Sequence, residues 1–216
     1  MFGSSFIEDL NMEILKIYDE IEQRIREFKA KTGISCLRDC GECCAKGRIR
    51  ITPLEFIPLA FELEKRGELQ KYLELLRGKE EGICVLYRPV STDLKKGYCA
   101  FYEFRAATCR LYGFGFKRNK YGQYEPVTCE HLRMELLNVG REHLLHILPP
   151  DYDSVMIRIL ALSPSFGMDK YPPNKAISVA LEKVGLFSFV RSAHYQYKDD
   201  SYHEKYGEGK KNSIEG

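Results

Sequence analysis

The chain has 216 residues, enough to bury a substantial core, so its eight cysteines need not act as staples for a miniature scaffold. Lys and Arg number 33 against 31 Asp and Glu, a formal charge of +2 that excludes nucleic acid or an anionic membrane as a partner of the surface as a whole. Glu8, Asp9 and Glu13 interrupt the N-terminal apolar residues, which is unlike an export signal, and no uncharged apolar run reaches the ~20 residues that cross a bilayer.

Phe6, Leu10, Ile14, Ile17, Ile21, Ile25 and Phe28 recur at steps of three and four, with charged residues between them. The spacing predicts an amphipathic helix that stops near Thr32 and Gly33. A second helix opens at Thr52, whose hydroxyl can cap, with Pro53 at the first helical position and Glu55 completing a capping box. Phe56, Leu59, Ala60 and Leu63 make its apolar face. After Gly67, Leu69, Tyr72, Leu73 and Leu76 resume the helical period up to Gly78, predicting a helical hairpin. From Gly82 to Glu130 helical periodicity vanishes. Tyr112, Phe114 and Phe116 alternate before the turn-prone stretch Asn119 to Gly122 and Tyr124, which predicts a small β-hairpin. Helices follow from about Leu132 to Ile147, ended by Pro149 and Pro150, and then near Ser154 to Leu162 and Asn174 to Val184. Beyond Tyr195 the composition is polar and aperiodic and reads as a disordered tail.

These signals give a fold class that is mainly α, with an irregular cysteine-rich metal-binding core and a small β-hairpin. Four stretches are expected. Residues 1–33 form an N-terminal helix packing on the core, and 34–130 a cysteine-cluster metal-binding domain with the helical hairpin inserted. Residues 131–194 supply helices that complete the same domain, and 195–216 are the tail. A cytoplasmic, reduced protein follows from the N-terminus, so paired disulfides are not expected.

The chemistry lies in the cysteines. Cys36, Cys40, Cys43 and Cys44 fall within nine residues, and Cys84, Cys99, Cys109 and Cys129 follow. Thiolates on a tight turn containing Gly41 can converge on a soft metal, with backbone N–H groups turned toward sulfur. Adjacent side chains in extended backbone point to opposite sides. Cys43 and Cys44 therefore serve one centre only in a helical or turn conformation, or else face two different centres. Eight thiolates could fill two four-coordinate sites, or supply one cluster with several to spare.

The Cys36 to Cys44 group, the helix start at Ile51, Thr52, Pro53 and Glu55, then Cys84 and the run Cys99, Tyr102, Glu103, Arg105, Cys109, Arg110 together resemble a known cysteine-cluster family. Its signature is CxxCxxCC and it is described as a zinc- or iron-chelating domain. The order matches over roughly Cys36 to Gly113, about a third of the chain. Three residues rather than two separate Cys36 from Cys40, and Ala106 stands where the family pattern has proline. The resemblance implies metal binding. One branch of the family is associated with lysine methylation of flagellin, an activity these motifs do not by themselves transfer.

Iron–sulfur clusters are often held by three close cysteines and a distant fourth, zinc by two separated pairs. The spacing favours an iron–sulfur cluster, of the four-iron type, over zinc, with all eight cysteines as candidate ligands. Such a centre would serve electron transfer or protein modification, with a protein partner. Two alternatives stand beside it. Cys36, Cys40 and Cys43 also have the CxxxCxxC spacing of radical S-adenosylmethionine enzymes, although the partial barrel those enzymes need is not foreshadowed here. Arg105, Arg110, Lys117, Arg118 and Lys120, interleaved with Tyr112, Phe114, Phe116 and Tyr121, could grip single-stranded nucleic acid in a zinc module, though solvated charges on a packed hairpin are the favoured account. His131, two residues after Cys129, is a further candidate ligand. His143 and His146 share a helical face with Glu142, without the second carboxylate-rich helix a di-iron site needs.

Overall fold

The structure, a computed structural model, describes residues 4–37, 39–45, 49–90, 92, 96–140, 144, 146–166 and 168–206. Helix α1 spans Ser4–Thr32 and buries Leu10, Ile14, Ile17, Tyr18, Ile21, Ile25 and Phe28 on one face. Gly33 ends it in the left-handed conformation with φ 72°, its N–H bonded to the Lys29 carbonyl. A single helical turn, α2 (Glu42–Ala45), carries two of the cysteines.

The helix expected at Thr52 begins as a 3-10 turn, Pro53–Phe56, before α3 proper (Ile57–Lys65); Pro58 sits in the first turn of α3, where a missing N–H costs nothing. Gly67, at φ 69°, reverses the chain into α4 (Leu69–Leu76), giving the predicted hairpin. The long closing helix, which we label α8 (Pro173–Tyr206), presents Ala176, Ile177, Ala180, Leu181 and Val184 with no exposed surface. This stripe packs on α3, α4 and the 3-10 turn, while α1 covers the other side of α3. The backbone of α8 is helical to Tyr206, past Tyr195, where the composition had suggested an unstructured tail.

Two antiparallel two-stranded sheets flank this helical frame: β1 (Tyr87–Pro89) with β2 (Gly97–Cys99), and β3 (Gly115–Arg118) with β4 (Tyr124–Val127). The second is the hairpin foreseen, its turn held by the Asn119 side chain, which accepts the N–H groups of Tyr121 and Gln123. Among the described residues these are the only sheets, and neither resembles the parallel partial barrel of a radical enzyme.

Between and after the sheets lie α5 (Ala107–Leu111), α6 (Glu130–Val139) and α7 (Tyr152–Leu162). Helix α6 stops at Gly140, φ 84°, rather than running unbroken to Ile147 as expected; Leu144, His146 and Ile147 are helical again beyond it. Asp151 caps α7 by accepting the N–H of Ser154. Glu142 and His143 lie outside the described residues.

Candidate metal centre

After α1 the chain turns inward at Ile34, leaves Cys36 exposed, and bends at Asp39, whose positive φ of 56° is one aspartate tolerates. Cys40 then forms a backbone bridge to Lys96, and Gly97 donates to the Asp39 carbonyl at 2.8 Å, so the first cysteine group is tied to β2. The Gly41 carbonyl accepts the N–H groups of Cys44 and Ala45, starting the turn of α2. A side chain at Gly41 would collide with the Tyr87 ring, and one at Gly97 with the same ring. Glycine is needed at Gly41 for close approach, not for an unusual φ.

Cys84 is brought to this turn by a hydrogen bond from its N–H to the Cys44 carbonyl, 3.2 Å. Its loop has little regular structure and is held instead by Asn174, at the start of α8. That side chain accepts the Val85 N–H at 2.8 Å and donates to the carbonyls of Lys79 and Ile83. The β1–β2 pairing sets Cys99 opposite Tyr87, and α5 presents Cys109. The N-terminus of α5 is fixed from below. Glu55, fully buried, accepts the Thr108 N–H at 2.7 Å with one oxygen and the Thr52 N–H and hydroxyl with the other. Glu55 thus joins the start of the α3 segment to the residue beside Cys109. Burial raises its carboxyl pKa, against the lowering effect of these hydrogen bonds. Cys129 is the cap residue of α6 and, with Cys43, lines a cavity of about 190 Å³ together with Glu42, Ile49, Tyr112, Thr128 and Glu130.

All eight cysteines are free thiols. The Cys43 and Cys44 sulfurs stand 3.9 Å apart. The hydrogen bond with Cys44 holds the Cys43 thiol below its ordinary pKa despite burial, aided by the backbone N–H groups of Cys43 and Cys44 and by the charge of Arg105; the same bond, with burial, raises Cys44. Burial pushes Cys84 up to about 12 although the N–H groups of Leu86 and Tyr87 are directed at it. Burial likewise raises Cys99, which receives the Phe101 N–H. Cys109 is raised well above the thiol range by burial and then by Cys84, Cys43, Glu55 and Cys99. Crowded thiols in a poorly solvated site resist ionising together unless a cation joins them, and a bound metal ion supplies that charge.

Arginines complete the surroundings. Glu22, on the polar side of α1, receives Arg105 at 2.9 Å and Arg110 at 2.5 Å. Arg110 also bonds the carbonyls of Arg105 and Glu103 and lies over the Tyr18 ring, and Arg105 lies over Tyr102. Both arginines therefore fold inward, Lys117 pairs with Glu125 at 3.2 Å, and Arg118 lies over Tyr124; the basic run is divided rather than presented as one nucleic-acid face. His131 stands 3.1 Å from Glu135, one turn along α6, without hydrogen-bond alignment.

Among the described residues no three His, Cys, Asp or Glu side chains stand in ready coordination geometry. Two features nonetheless fit a thiolate-held metal. Backbone N–H groups two and three residues after Cys84, and two after Cys99, point at sulfur, the pattern that stabilises metal-bound thiolates. The buried Arg105 Nε has no hydrogen-bond partner, while its charge reaches Cys43, Cys99 and Cys109. An N–H···S bond to a thiolate would satisfy it. A groove of about 530 Å³ between α1 and α7 is lined by no cysteine.

Sequence reasoning missed Glu22 and Asn174. Their partners are 83 and 88 positions away for Glu22, and 89 or more for Asn174, and no local pattern connects them. Residues 35–130, which contain all eight cysteines, match the family model CxxCxxCC, described as a "putative zinc- or iron-chelating domain". No curated protein and no solved structure matches the chain.

Proposed function

Because residues 35–130 match the model of the CxxCxxCC family of chelating domains, we propose that this protein holds an iron–sulfur centre on its clustered cysteine thiolates, and that the centre serves electron transfer. The observation that carries this reading is the convergence of N–H donors on sulfur, at Cys43, Cys84 and Cys99, within a site where burial otherwise opposes ionisation. Donors arranged this way favour a centre whose negative charge they offset, and such hydrogen bonds are among the features that set cluster potentials. Arg105, anchored by Glu22, acts in the same sense. Zinc on the same thiolates is the second reading. It is favoured by the abundance of sulfur around Cys44, where Cys43, Cys84 and Cys109 can close a coordination shell.

Anaerobic purification separates the two. Brown protein with iron and acid-labile sulfide in matching amounts is the expected result. Colourless protein with stoichiometric zinc selects the second reading, and material with neither metal overturns both.

A further inference from the structure

We propose that Arg105 is the hydrogen-bond donor that offsets the charge of the thiolate centre, its Nε giving an N–H···S bond to a metal-bound sulfur, while Arg110 only shapes the segment that carries Cys109. The inference rests on the metal-binding reading and names a residue that serves the centre from outside its ligand set.

Two arginines share the carboxylate of Glu22, and they use their donors differently. Arg110 commits all three of its nitrogens to protein: Nε to the Arg105 carbonyl at 3.0 Å, Nη1 to Glu22, and Nη2 to the Glu103 carbonyl. With 6% of its side chain exposed, it clasps residues 103–110 into one shape. Arg105 gives Nη2 to Glu22 at 2.9 Å and lays its guanidinium 3.9 Å from the centre of the Tyr102 ring, which fixes its plane. Its Nε is buried and bonds nothing in the protein. A dry donor without an acceptor is unfavourable, the more so on a charged group, so this atom calls for a partner.

The acceptors in its neighbourhood are sulfurs. The charge of Arg105 bears on Cys43, Cys99 and Cys109, thiols supplied by α2, β2 and α5. Cys99 and Cys109 also flank it in sequence, six residues before and four after. Backbone N–H groups already serve Cys84 and Cys99, and Arg105 adds a donor that carries a full positive charge. Thiolates gathered on a divalent metal leave the centre negative, and a fixed guanidinium offsets this where water is excluded. Glu22 holds Arg105 through a different nitrogen, so anchoring and donation do not compete.

The test loads the full chain anaerobically with Co(II), whose thiolate-to-metal charge-transfer absorption reports hydrogen bonding at sulfur, and follows folding by far-ultraviolet circular dichroism. A thiolate that loses its donor releases an electron more readily, which moves the band to longer wavelength. Arg105→Gln removes donor and charge together and should weaken Co(II) binding about 10- to 100-fold, the usual effect of removing a partner of a metal ligand, with the band shifted. Arg105→Lys keeps the charge but has one nitrogen in place of the two that serve Glu22 and sulfur. It should recover part of the affinity and still show the shifted band, and it decides alone if Arg105→Gln does not fold. Arg110→Lys should lower stability and leave the band in place. Wild-type affinity and band position in the Arg105 variants overturn the proposal, as does an equal shift in Arg110→Lys. Both results leave the metal-binding reading intact, since Co(II) is still held by sulfur. Wild-type chain without the charge-transfer band removes that reading instead.

Discussion

The helical frame and the cysteine region are held together by different means. In the frame, α1, α3 and α8 bury aliphatic side chains such as Ile14, Leu59, Ile177 and Leu181 with no exposed surface, and each such side chain contributes about 1.5–3 kcal/mol. The cysteine region has strands of three residues, a helix of one turn, and loops fixed by side chains borrowed from elsewhere: Glu55, Glu22 and Asn174. The frame can form on apolar burial alone. The cysteine region depends on the frame for its shape and, on the reading above, on a metal for its charge balance.

This contrast can be broken from either side. Leu59→Ala in the frame should cost about 3 kcal/mol in urea unfolding, through a cavity that α1 and α8 cannot close, while metal per folded chain stays at the wild-type value. Glu22→Gln cuts the seam between the two regions. It leaves the inward-folded Arg105 and Arg110 without their carboxylate and, with Glu22 itself partly exposed to solvent, should cost about 2 kcal/mol at pH 7.

The pH dependence of that loss has a definite sign. Burial would raise the Glu22 pKa, but the hydrogen bonds and charge of Arg105, then Arg110, hold it below the ordinary carboxylate range. The stabilisation is therefore present above the unfolded value of ~4.3 and is lost as pH falls through the lower folded value. Wild type and Glu22→Gln should converge in stability as the pH falls through that lowered folded value, and a difference that persists below it would refute the ion-pair account.

Gly41→Ala acts within the cysteine region. The new methyl meets the Tyr87 ring, so the α2 turn or β1 must shift, at a cost of about 2 kcal/mol, with metal content falling while the helical signal stays constant. The smallest effect is expected at the exposed pair of Arg158 and Glu20, linked at 2.6 Å on the rim of the large groove: Arg158→Ala should change stability by less than ~0.5 kcal/mol and metal content not at all.

The sequence made the frame readable because its information is periodic. Spacing at three- and four-residue steps announced α1, Gly67 marked the turn of the helical hairpin and Gly78 its end, and the Asn119 turn announced β3 and β4. Where regular elements are too short for their pattern to repeat more than once, nothing announces them. The β1–β2 pair has three residues a side and α5 has five, so both went unseen. The break in α6 at Gly140 was passed over because the residues on either side keep a helical composition.

At the candidate centre, the identities and order of the eight cysteines were legible, as was the question raised by adjacent Cys43 and Cys44. The helical conformation of that pair was not, since four residues carry no periodicity. Nor could any local signal show that Glu55, recognisable as a capping residue, uses its second oxygen to fix the segment bearing Cys109.

Asn174 stands in for a missing strand. Its amide offers one acceptor and two donors to the loop that carries Cys84, doing for those residues what a neighbouring backbone would otherwise do. Because it belongs to the first turn of α8, that loop gains its shape only when α8 docks on α3 and α4. During synthesis on the ribosome, Cys36 through Cys44 emerge long before this clasp exists. If Cys84 is a metal ligand, insertion there belongs after translation of the closing helix, in a nearly finished molecule.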